Sequence, residues 1–219
     1  MGGKMDNFNN SLFFSLAGEE TKVLILGGGK AAYIKCSTLA LNKFQVHCLA
    51  PSFSRDIKEL ATRYENLKII TDKFQEDMLD NYHLIVICTS DNEFNSSIRD
   101  LCRKKNKIFI DTTKPNKSQG MICATRKSKN IAIGIKIKES NPKASVFLCN
   151  KGKEYLNKLD DYIEYSTILR NSIKDKELKK SVLNFICSDD FIFIFNKNKA
   201  YEVLLMFYPE LENVLSAIK

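Results

Sequence analysis

The sequence predicts an α/β protein in which a parallel sheet, covered by helices on both faces, occupies the first half of the chain. Short apolar runs alternate with helix-like patterns up to residue 111, and such alternation is typical of a doubly wound parallel sheet. The run HLIVICT at 83–89 is almost entirely apolar, as expected for a strand that is buried on both faces. After residue 111 the rhythm changes to a polar loop, two strand-like runs and a long helical segment.

Recognisable residues bound the elements of the first half. The apolar run KVLIL ends at three glycines, after which a helical pattern begins at Lys30. Ser54 is the expected N-cap of the second helix, since its side chain can accept a hydrogen bond from a backbone N–H. The predicted strands are 22–26, 44–51, 67–71, 83–89 and 107–111, and the predicted helices are 30–43, 54–65, 74–80 and 92–106.

The second half is predicted to open with an antiparallel strand pair and to continue as helices. The runs 121–126 and 130–138 are joined by the short polar turn KSK, and such a connection suits antiparallel strands. Pro142 is expected at the first helical position, where its missing N–H costs nothing. From about 143 to 187 the pattern is helical and charged, and the tail contains the apolar run FIFIF at 191–195.

Composition narrows the class of protein. Of the 219 residues, 44% are hydrophobic, and no apolar run reaches the roughly 20 residues of a membrane span. Seven scattered cysteines without a C-x-x-C pair predict free thiols in a reducing, cytoplasmic compartment rather than disulfides or a metal site. The net charge of +8 attracts polyanions in general, but no nucleic-acid-binding motif is present. We therefore predict no membrane, metal or nucleic-acid partner.

The glycines after the first strand carry the first functional signal. The stretch GGGKAA at 27–32 fits the pattern G-x-G-x-x-G/A between a strand and a helix. In this pattern Gly27 makes the tight turn, Gly29 lets the backbone approach a pyrophosphate, and Ala32 allows close helix–strand packing. The nucleoside-triphosphate pattern G-x-x-x-x-G-K-[ST] is absent. We therefore predict a Rossmann-like dinucleotide site with the phosphate-binding residues Gly27, Gly28, Gly29, Lys30 and Ala31.

The ends of the second and fourth strands are expected to face the same dinucleotide. The second strand lacks the acid that ordinarily binds the ribose 2′-hydroxyl, and Pro51 and Ser52 are predicted to contact the ribose instead. Arg55 would favour a 2′-phosphate, so the residues alone leave NAD and NADP open. The residues predicted to line the nicotinamide half are Thr89, Ser90 and Asp91. Asp91 also suits the N-cap of the next helix.

Two longer stretches combine these motifs: LFFSLAGEETKVLILGGGKAAYIKCSTL from residue 12, and VICTSDNEFNSSIRDLCRKKNKIFIDTT from residue 86. Together they resemble the dehydrogenase/ferrochelatase module of the siroheme synthase family, also called precorrin-2 dehydrogenase. The resemblance covers roughly residues 10–150, and the helical C-terminal part agrees in length and character. The residues at the family's motif positions are Leu12, Phe13, Gly27, Gly28, Gly29, Ala32, Lys35, Thr89, Asp91 and Asn95.

The resemblance implies an NAD-dependent oxidation of precorrin-2 to sirohydrochlorin, in siroheme or cobalamin biosynthesis, by a homodimer. It also implies an NAD(P)-binding Rossmann domain at 1–113, a small strand-containing dimerisation and cleft region at 114–150, and a helical C-terminal region at 151–219. In some members of the family, insertion of Fe²⁺ into the product follows. The positive net charge suits a tetrapyrrole substrate that carries many carboxylates.

The stretch after the fifth strand departs from the family pattern. The family reads close to N-V-V-D, with the final Asp as the expected general base and metal-site acid, whereas Asp111 and Lys114 take the Asn and Asp places here. A lysine is charged the wrong way to attract Fe²⁺ or to accept a proton at neutral pH, so ferrochelatase activity is expected to be weak or absent. The predicted catalytic residues are Asp111, Lys114 and Asp91. The alternative is a catalytically altered dinucleotide- or tetrapyrrole-binding protein on the same scaffold, based on the altered stretches 111–114 and 137–142.

Overall fold

The computed structural model describes residues 11–139 and 141–218, so Ser140 of the altered stretch 137–142 lies outside the described residues. The chain forms two compact units that divide between Ile122 and Cys123. The predicted boundary at 150/151 falls inside a helix, Pro142–Leu156.

The first unit is built on a five-stranded parallel sheet, which confirms the predicted fold class. The strand order is β3-β2-β1-β4-β5, and each neighbouring pair is parallel. The strands are β1 (Lys22–Leu26), β2 (Gln45–Leu49), β3 (Leu67–Ile70), β4 (Leu84–Ile87) and β5 (Ile108–Asp111). The helices are α1 (Lys30–Leu41), α2 (Arg55–Arg63) and α3 (Asn92–Lys104), with short 3-10 helices at Glu76–Asn81 and Pro115–Lys117.

Helices cover both faces of this sheet, which explains why its strands read as continuous apolar runs. Val23 and Ile25 of β1 point to one face and share a buried cluster with Cys36 of α1. Leu24 points to the opposite face, where it shares a second cluster with Ile98 of α3. Successive residues of a strand alternate between faces, so all four positions of the internal strand β4 are apolar and buried.

The ends of the helices follow from capping residues. Ser54 is confirmed as the N-cap of α2, because its hydroxyl accepts a hydrogen bond from the amide of Ile57. Asp91 caps α3 by accepting hydrogen bonds from the amides of Glu93 and Phe94. The short helix predicted at 74–80 is a 3-10 helix at Glu76–Asn81, a form that suits so few residues.

The second unit combines a strand pair with helices. The predicted antiparallel pair is confirmed as β6 (Ala124–Lys127) and β7 (Ala132–Ile135). Pro142 is the first residue of the next helix, as predicted. The helices are α4 (Pro142–Leu156), α5 (Asp160–Ser172), α6 (Lys176–Ile186), α7 (Asp189–Asn196), α8 (Ala200–Phe207) and α9 (Glu212–Ser216). The apolar run FIFIF lies in α7, where Phe191 enters the helical core.

Asp160 joins the strand pair to these helices. It is the first residue of α5 and is 8% exposed. Its carboxylate accepts hydrogen bonds from the Ser128 hydroxyl at 2.8 Å and from the Asn130 and Lys129 amides at 2.9 and 3.2 Å. Burial raises the pKa of Asp160, but these hydrogen bonds lower it by more, so that the pKa lies below its ordinary value. The turn between β6 and β7 is thereby fixed to the start of α5.

Among the described residues, no helix is both long enough and apolar enough to cross a membrane.

Candidate functional site

The order of the strands fixes where a ligand would bind in the first unit. The chain moves outward from β1 to β2 and β3, and then returns to the other side of β1 to place β4 and β5. In open parallel sheets, ligands bind beyond the carboxyl ends of the strands at this switch point. The candidate site therefore lies where β1 and β4 end.

The turn after β1 requires glycine at its first position. Gly27 has φ +130°, and a Cβ there would lie 2.7 Å from the carbonyl oxygen of Cys88. Its amide donates a hydrogen bond to the Leu49 carbonyl at 2.9 Å, and its carbonyl accepts one from the Cys48 thiol at 3.2 Å. A hydrogen bond with Cys36, together with burial, raises the pKa of Cys48. Cys48 therefore remains a neutral S–H donor that holds the turn.

Gly28 makes the closest approach in this loop. A Cβ at Gly28 would lie 1.9 Å from the carbonyl oxygen of Ser52, a distance at which atoms overlap. The Gly28 carbonyl accepts a hydrogen bond from the Ser54 amide at 2.9 Å. The glycine loop and the turn after β2 are thus packed directly against each other, backbone to backbone.

Gly29 faces open space, unlike its two neighbours. It is the N-cap of α1, with φ −100° and ψ −166°, and it provides no side-chain cap for the helix. A Cβ there would meet nothing within 4 Å. Lys30 and Ala31 are exposed, whereas Ala32 is fully buried. The first amides of a helix need acceptors and attract anions, so an uncapped helix start with free space before it fits a pyrophosphate.

The turn after β2 presents two of the predicted ribose contacts. Pro51 and Ser52 are exposed beside the glycine loop. Arg55, which would favour a 2′-phosphate, already pairs with Glu59, because its Nε lies 2.6 Å from a Glu59 oxygen. This pair places a carboxylate on the same helix turn as the arginine.

The end of β4 carries a polar network. The Thr89 hydroxyl donates a hydrogen bond to the side-chain oxygen of Asn95 at 2.5 Å, and the Asn95 amide group donates to the Thr89 carbonyl at 3.0 Å. Asn95 is 1% exposed, whereas Ser90 and Asp91 are exposed. One oxygen of Asp91 accepts the two capping amides of α3 at 3.0 Å. Thr89 is thus oriented by Asn95, and Ser90 and Asp91 remain accessible to a ligand.

Asp111 ends β5 in a closed environment. The residue is 1% exposed, and its Oδ2 accepts a hydrogen bond from the Arg99 guanidinium at 2.5 Å. Its Oδ1 accepts hydrogen bonds from the hydroxyl and amide of Thr113, at 2.7 and 2.8 Å, and from the Lys114 amide at 3.1 Å. Burial raises the pKa of Asp111, but these hydrogen bonds and the arginine lower it by more, so that the pKa lies below its ordinary value. This geometry favours a structural role for Asp111 over the predicted catalytic one.

Sequence reasoning missed Arg99, although a signal for it exists. The buried positions of α3 are Asn95, Ile98, Arg99 and Cys102, which is the spacing of one helix face. An arginine on a buried face needs an acidic partner. The nearest candidate at a strand end was Asp111, and the structure pairs the two.

The hydrogen bonds accepted by Asp111 predict that the free energy of unfolding depends on pH. The pKa of Asp111 is depressed in the folded state, whereas an unfolded chain has an ordinary value of about 3.9. Its contribution to stability is therefore complete above that value and is lost as the pH falls through the folded pKa. We expect Asp111→Asn to lower the free energy of urea-induced unfolding at pH 7, and the difference from wild type to shrink towards pH 3. A difference that stays constant over this range would contradict the assignment.

The structure brings all of the predicted site residues to one edge of the sheet. The residues that follow β1, β2 and β4 are Gly27, Gly28, Gly29, Lys30, Ala31, Pro51, Ser52, Thr89, Ser90 and Asp91, and those at and after the end of β5 are Asp111 and Lys114. Lys114 is half-buried and contributes its backbone amide to Asp111. Within 11–139 and 141–218, no group of three or more His, Cys, Asp or Glu side chains could hold a metal ion.

Comparisons with known proteins agree with the resemblance noted in the sequence. The chain is 33% identical to siroheme synthase of Pseudoalteromonas translucida over 89 residues, which are 41% of this chain and 18% of the relative. It is 24% identical to siroheme synthase of Blochmanniella pennsylvanica over 169 residues, covering 70% of this chain and 35% of the relative. The chain thus spans about a third or less of the length of these curated relatives. The predicted resemblance to the siroheme synthase family is confirmed.

A solved structure and a family match complete the comparison. The fold matches that of "SirC, precorrin-2 dehydrogenase" with a TM-score of 0.63 and 21% identity, covering 90% of this chain and 98% of that chain. Residues 13–124, more than half of the 219-residue chain, match the family described as "Putative NAD(P)-binding". The glycine turn, the uncapped start of α1 and the switch point all lie within the matched residues. The chain therefore belongs to this NAD(P)-binding family, and its cofactor is a nicotinamide dinucleotide.

Proposed function

We propose that the chain is a precorrin-2 dehydrogenase, which oxidises precorrin-2 to sirohydrochlorin with NAD⁺ in siroheme or cobalamin biosynthesis. The observation that carries the proposal is the open helix start at Gly29, at the switch point of a sheet. The similarity to siroheme synthases and to the fold of a precorrin-2 dehydrogenase supports the choice of substrate.

The reaction requires the protein mainly to position the substrate against the cofactor. The oxidation removes two hydrogens from the macrocycle, and the protein has to provide an acceptor for the one that leaves as a proton. A bound dinucleotide would supply the ring that accepts the other hydrogen as a hydride, and the protein would have to hold the two reactants in line. Asp111 has both oxygens engaged by donors, so we assign proton acceptance to the exposed Asp91 or to solvent. Thr89 and Ser90 would line the nicotinamide half of the site when a dinucleotide is bound.

A direct assay tests this function. The purified protein is incubated with precorrin-2 and NAD⁺, and NADH formation is followed together with the absorbance of sirohydrochlorin. We expect NADH and sirohydrochlorin to appear in equal amounts. Tight binding of NADH without oxidation of precorrin-2 would overturn the proposal and favour a binding protein on the same scaffold, the reading to which the closed environment of Asp111 lends support.

We propose that iron insertion is not part of the activity. Lys114 stands at the family's acid position, and the nearby Asp111 is paired with Arg99. Neither arrangement offers a free carboxylate to Fe²⁺. Supplying the protein with sirohydrochlorin and Fe²⁺ under anaerobic conditions should leave the rate of siroheme formation at that of the protein-free control, and a protein-dependent rate would contradict this proposal.

We propose NAD rather than NADP as the cofactor. The Glu59 carboxylate pairs with Arg55 at 2.6 Å, so it offsets the only charge predicted to attract a 2′-phosphate. In fluorescence titrations we expect NADH to bind at least about tenfold more tightly than NADPH, which corresponds to about 1.4 kcal/mol. Glu59→Gln should narrow that gap by strengthening NADPH binding, whereas a wild-type preference for NADPH would overturn the choice.

The homodimer implied by the resemblance is also a proposal. Val146, Phe147 and Leu148 in α4 are 40%, 59% and 44% exposed. This apolar surface lies within the proposed dimerisation region 114–150 and suits a subunit contact. Light scattering coupled to size exclusion should give twice the chain mass, and Phe147→Glu should give the monomer. A wild-type monomer at micromolar concentration would contradict the proposal.

The cytoplasmic location expected from the free thiols stays a prediction.

A further inference from the structure

A fully buried ion pair lies close to the candidate site. The side chains of Arg99 and Asp111 are 3% and 0% exposed, and Nη1 of the arginine contacts Oδ2 of the aspartate at 2.5 Å. Burying two charges costs several kcal/mol for each ion, and an apolar pair of similar size often stabilises a core equally well. Stability alone is therefore a poor explanation for the pair, and the contacts that it holds in place suggest another.

Asp111 uses its two oxygens for two different purposes. Oδ2 receives Arg99, whereas Oδ1 receives the hydroxyl and amide of Thr113 and the amide of Lys114. The guanidinium fixes the orientation of the carboxylate, and the carboxylate fixes the turn. The Asp111 amide also donates a hydrogen bond to the Ser118 hydroxyl at 2.7 Å. Residues 112–114 are thus shaped by one buried carboxylate.

This turn borders the nicotinamide half of the proposed site. Asp111 lies beside Ile87 in the pairing of β5 with β4, and the Thr112 amide and hydroxyl both donate hydrogen bonds to the Ile87 carbonyl, at 3.0 and 2.9 Å. Asn95, which orients Thr89, also reaches the Thr113 hydroxyl at 3.4 Å. The ends of β4 and β5 therefore form one connected polar surface.

We infer that Arg99 is a positioning residue. It acts through Asp111 to hold the turn Thr112–Lys114 in the conformation that contacts the substrate during its oxidation. This inference rests on the proposed dehydrogenase function and goes beyond it, because the Arg99 side chain is buried and acts through Asp111. Its effect should appear in substrate turnover and not in dinucleotide affinity, since the glycine loop is held by separate contacts to Leu49, Cys48 and Ser54.

The test compares three substitutions in the full chain with a matched control. Arg99→Met removes the charge but keeps a long side chain, Arg99→Lys restores the charge, and Thr113→Val removes one donor to Asp111. We expect Arg99→Met to lower kcat/KM for precorrin-2 by about 10- to 100-fold, the scale for small displacements near reacting groups. The dissociation constant for NADH should stay within about twofold of the wild-type value, because the uniform binding contacts are intact.

The other variants separate positioning from a general loss of structure. Arg99→Lys should recover most of the lost turnover, and Thr113→Val should show a smaller loss in the same direction. Arg103→Met is the control, because Arg103 lies on the same helix but has a side chain 48% exposed, paired with Asp100, and it should behave as wild type. Turnover unchanged in folded Arg99→Met, or NADH affinity falling in proportion to turnover, would overturn the inference.

Hydrogen exchange makes the outcome independent of the dehydrogenase assay. The amides of Thr113 and Lys114 donate to Asp111, so their exchange should be slow in wild type and faster in Arg99→Met, while the amide of Gly27 keeps its rate. If wild type shows no turnover, the proposed function fails, and the exchange rates still decide whether Arg99 holds the turn. Equal exchange in wild type and Arg99→Met would overturn it.

Discussion

Gly29→Asp is expected to abolish dinucleotide binding while the protein stays folded and becomes slightly more stable. Gly29 is the N-cap of α1 in extended backbone, without a side-chain cap, and has open space around its Cβ position. Aspartate is among the preferred N-cap residues and adds a few tenths of a kcal/mol relative to glycine. The same carboxylate would occupy the proposed place of the pyrophosphate, and like charges in contact cost several kcal/mol. We expect NADH affinity to fall by about 100-fold or more.

Two measurements and one control complete this test. NADH binding is followed by fluorescence titration, and stability by urea unfolding. Gly29→Asn caps the helix in the same way without the negative charge, so it should lose less affinity than Gly29→Asp. A Gly29→Asp protein that binds NADH like wild type would show that the phosphate does not lie at this helix start.

Gly28→Ala is expected to destabilise the first unit, although it adds only one methyl group. The new Cβ would overlap the Ser52 carbonyl oxygen at 1.9 Å and press on the Cβ of Ala50 at 3.1 Å. The glycine loop and the turn after β2 meet through backbone atoms, which cannot rotate away as a side chain could. Relieving the overlap therefore requires the Gly28–Ser54 hydrogen bond to break. We expect a loss of about 3 kcal/mol, at the upper end of the usual range for overpacked sites.

Gly120→Ala is the matched control for this loss. A Cβ at Gly120 would sit 3.8 Å from a side-chain carbon of Ile110, an ordinary contact, and glycine replacement at an unstrained position stabilises by about 0.4–1 kcal/mol. The midpoint of urea unfolding should therefore fall for Gly28→Ala and rise for Gly120→Ala. Equal midpoints for Gly28→Ala and wild type would contradict the tight packing of the loop.

The first half of the fold could be predicted because local and global signals agree there. The strands of the parallel sheet are mainly apolar runs bounded by turn residues, and the predicted first strand coincides with the observed one, Lys22–Leu26. The other predicted strands extend past the observed ends, as at 44–51 against Gln45–Leu49. Apolar residues such as Ala50 are buried without belonging to a strand, and hydrophobicity alone cannot distinguish the two cases.

The site was predictable where chemistry is local and not where it depends on distant partners. The glycine pattern indicates a dinucleotide, but it does not predict the tight contact of Gly28 with the Ser52 carbonyl, because Ser52 lies on another turn. Asp111 read as an accessible acid because its partner Arg99 is on another element. Which buried charges meet depends on how α3 packs on β5, and a single sequence gives spacing but not that contact.

The hydrogen bonds that Asp160 accepts affect how the second unit unfolds. A two-stranded hairpin alone is marginally stable in water, and the turn of this one depends on a carboxylate from α5, about 30 positions further along the chain. A segment that ends before Asp160 would leave the turn amides without their acceptor. The strand pair and the helices after it should therefore fold and unfold in one cooperative step. Limited proteolysis should then yield a fragment that contains both, and no fragment of the strand pair alone.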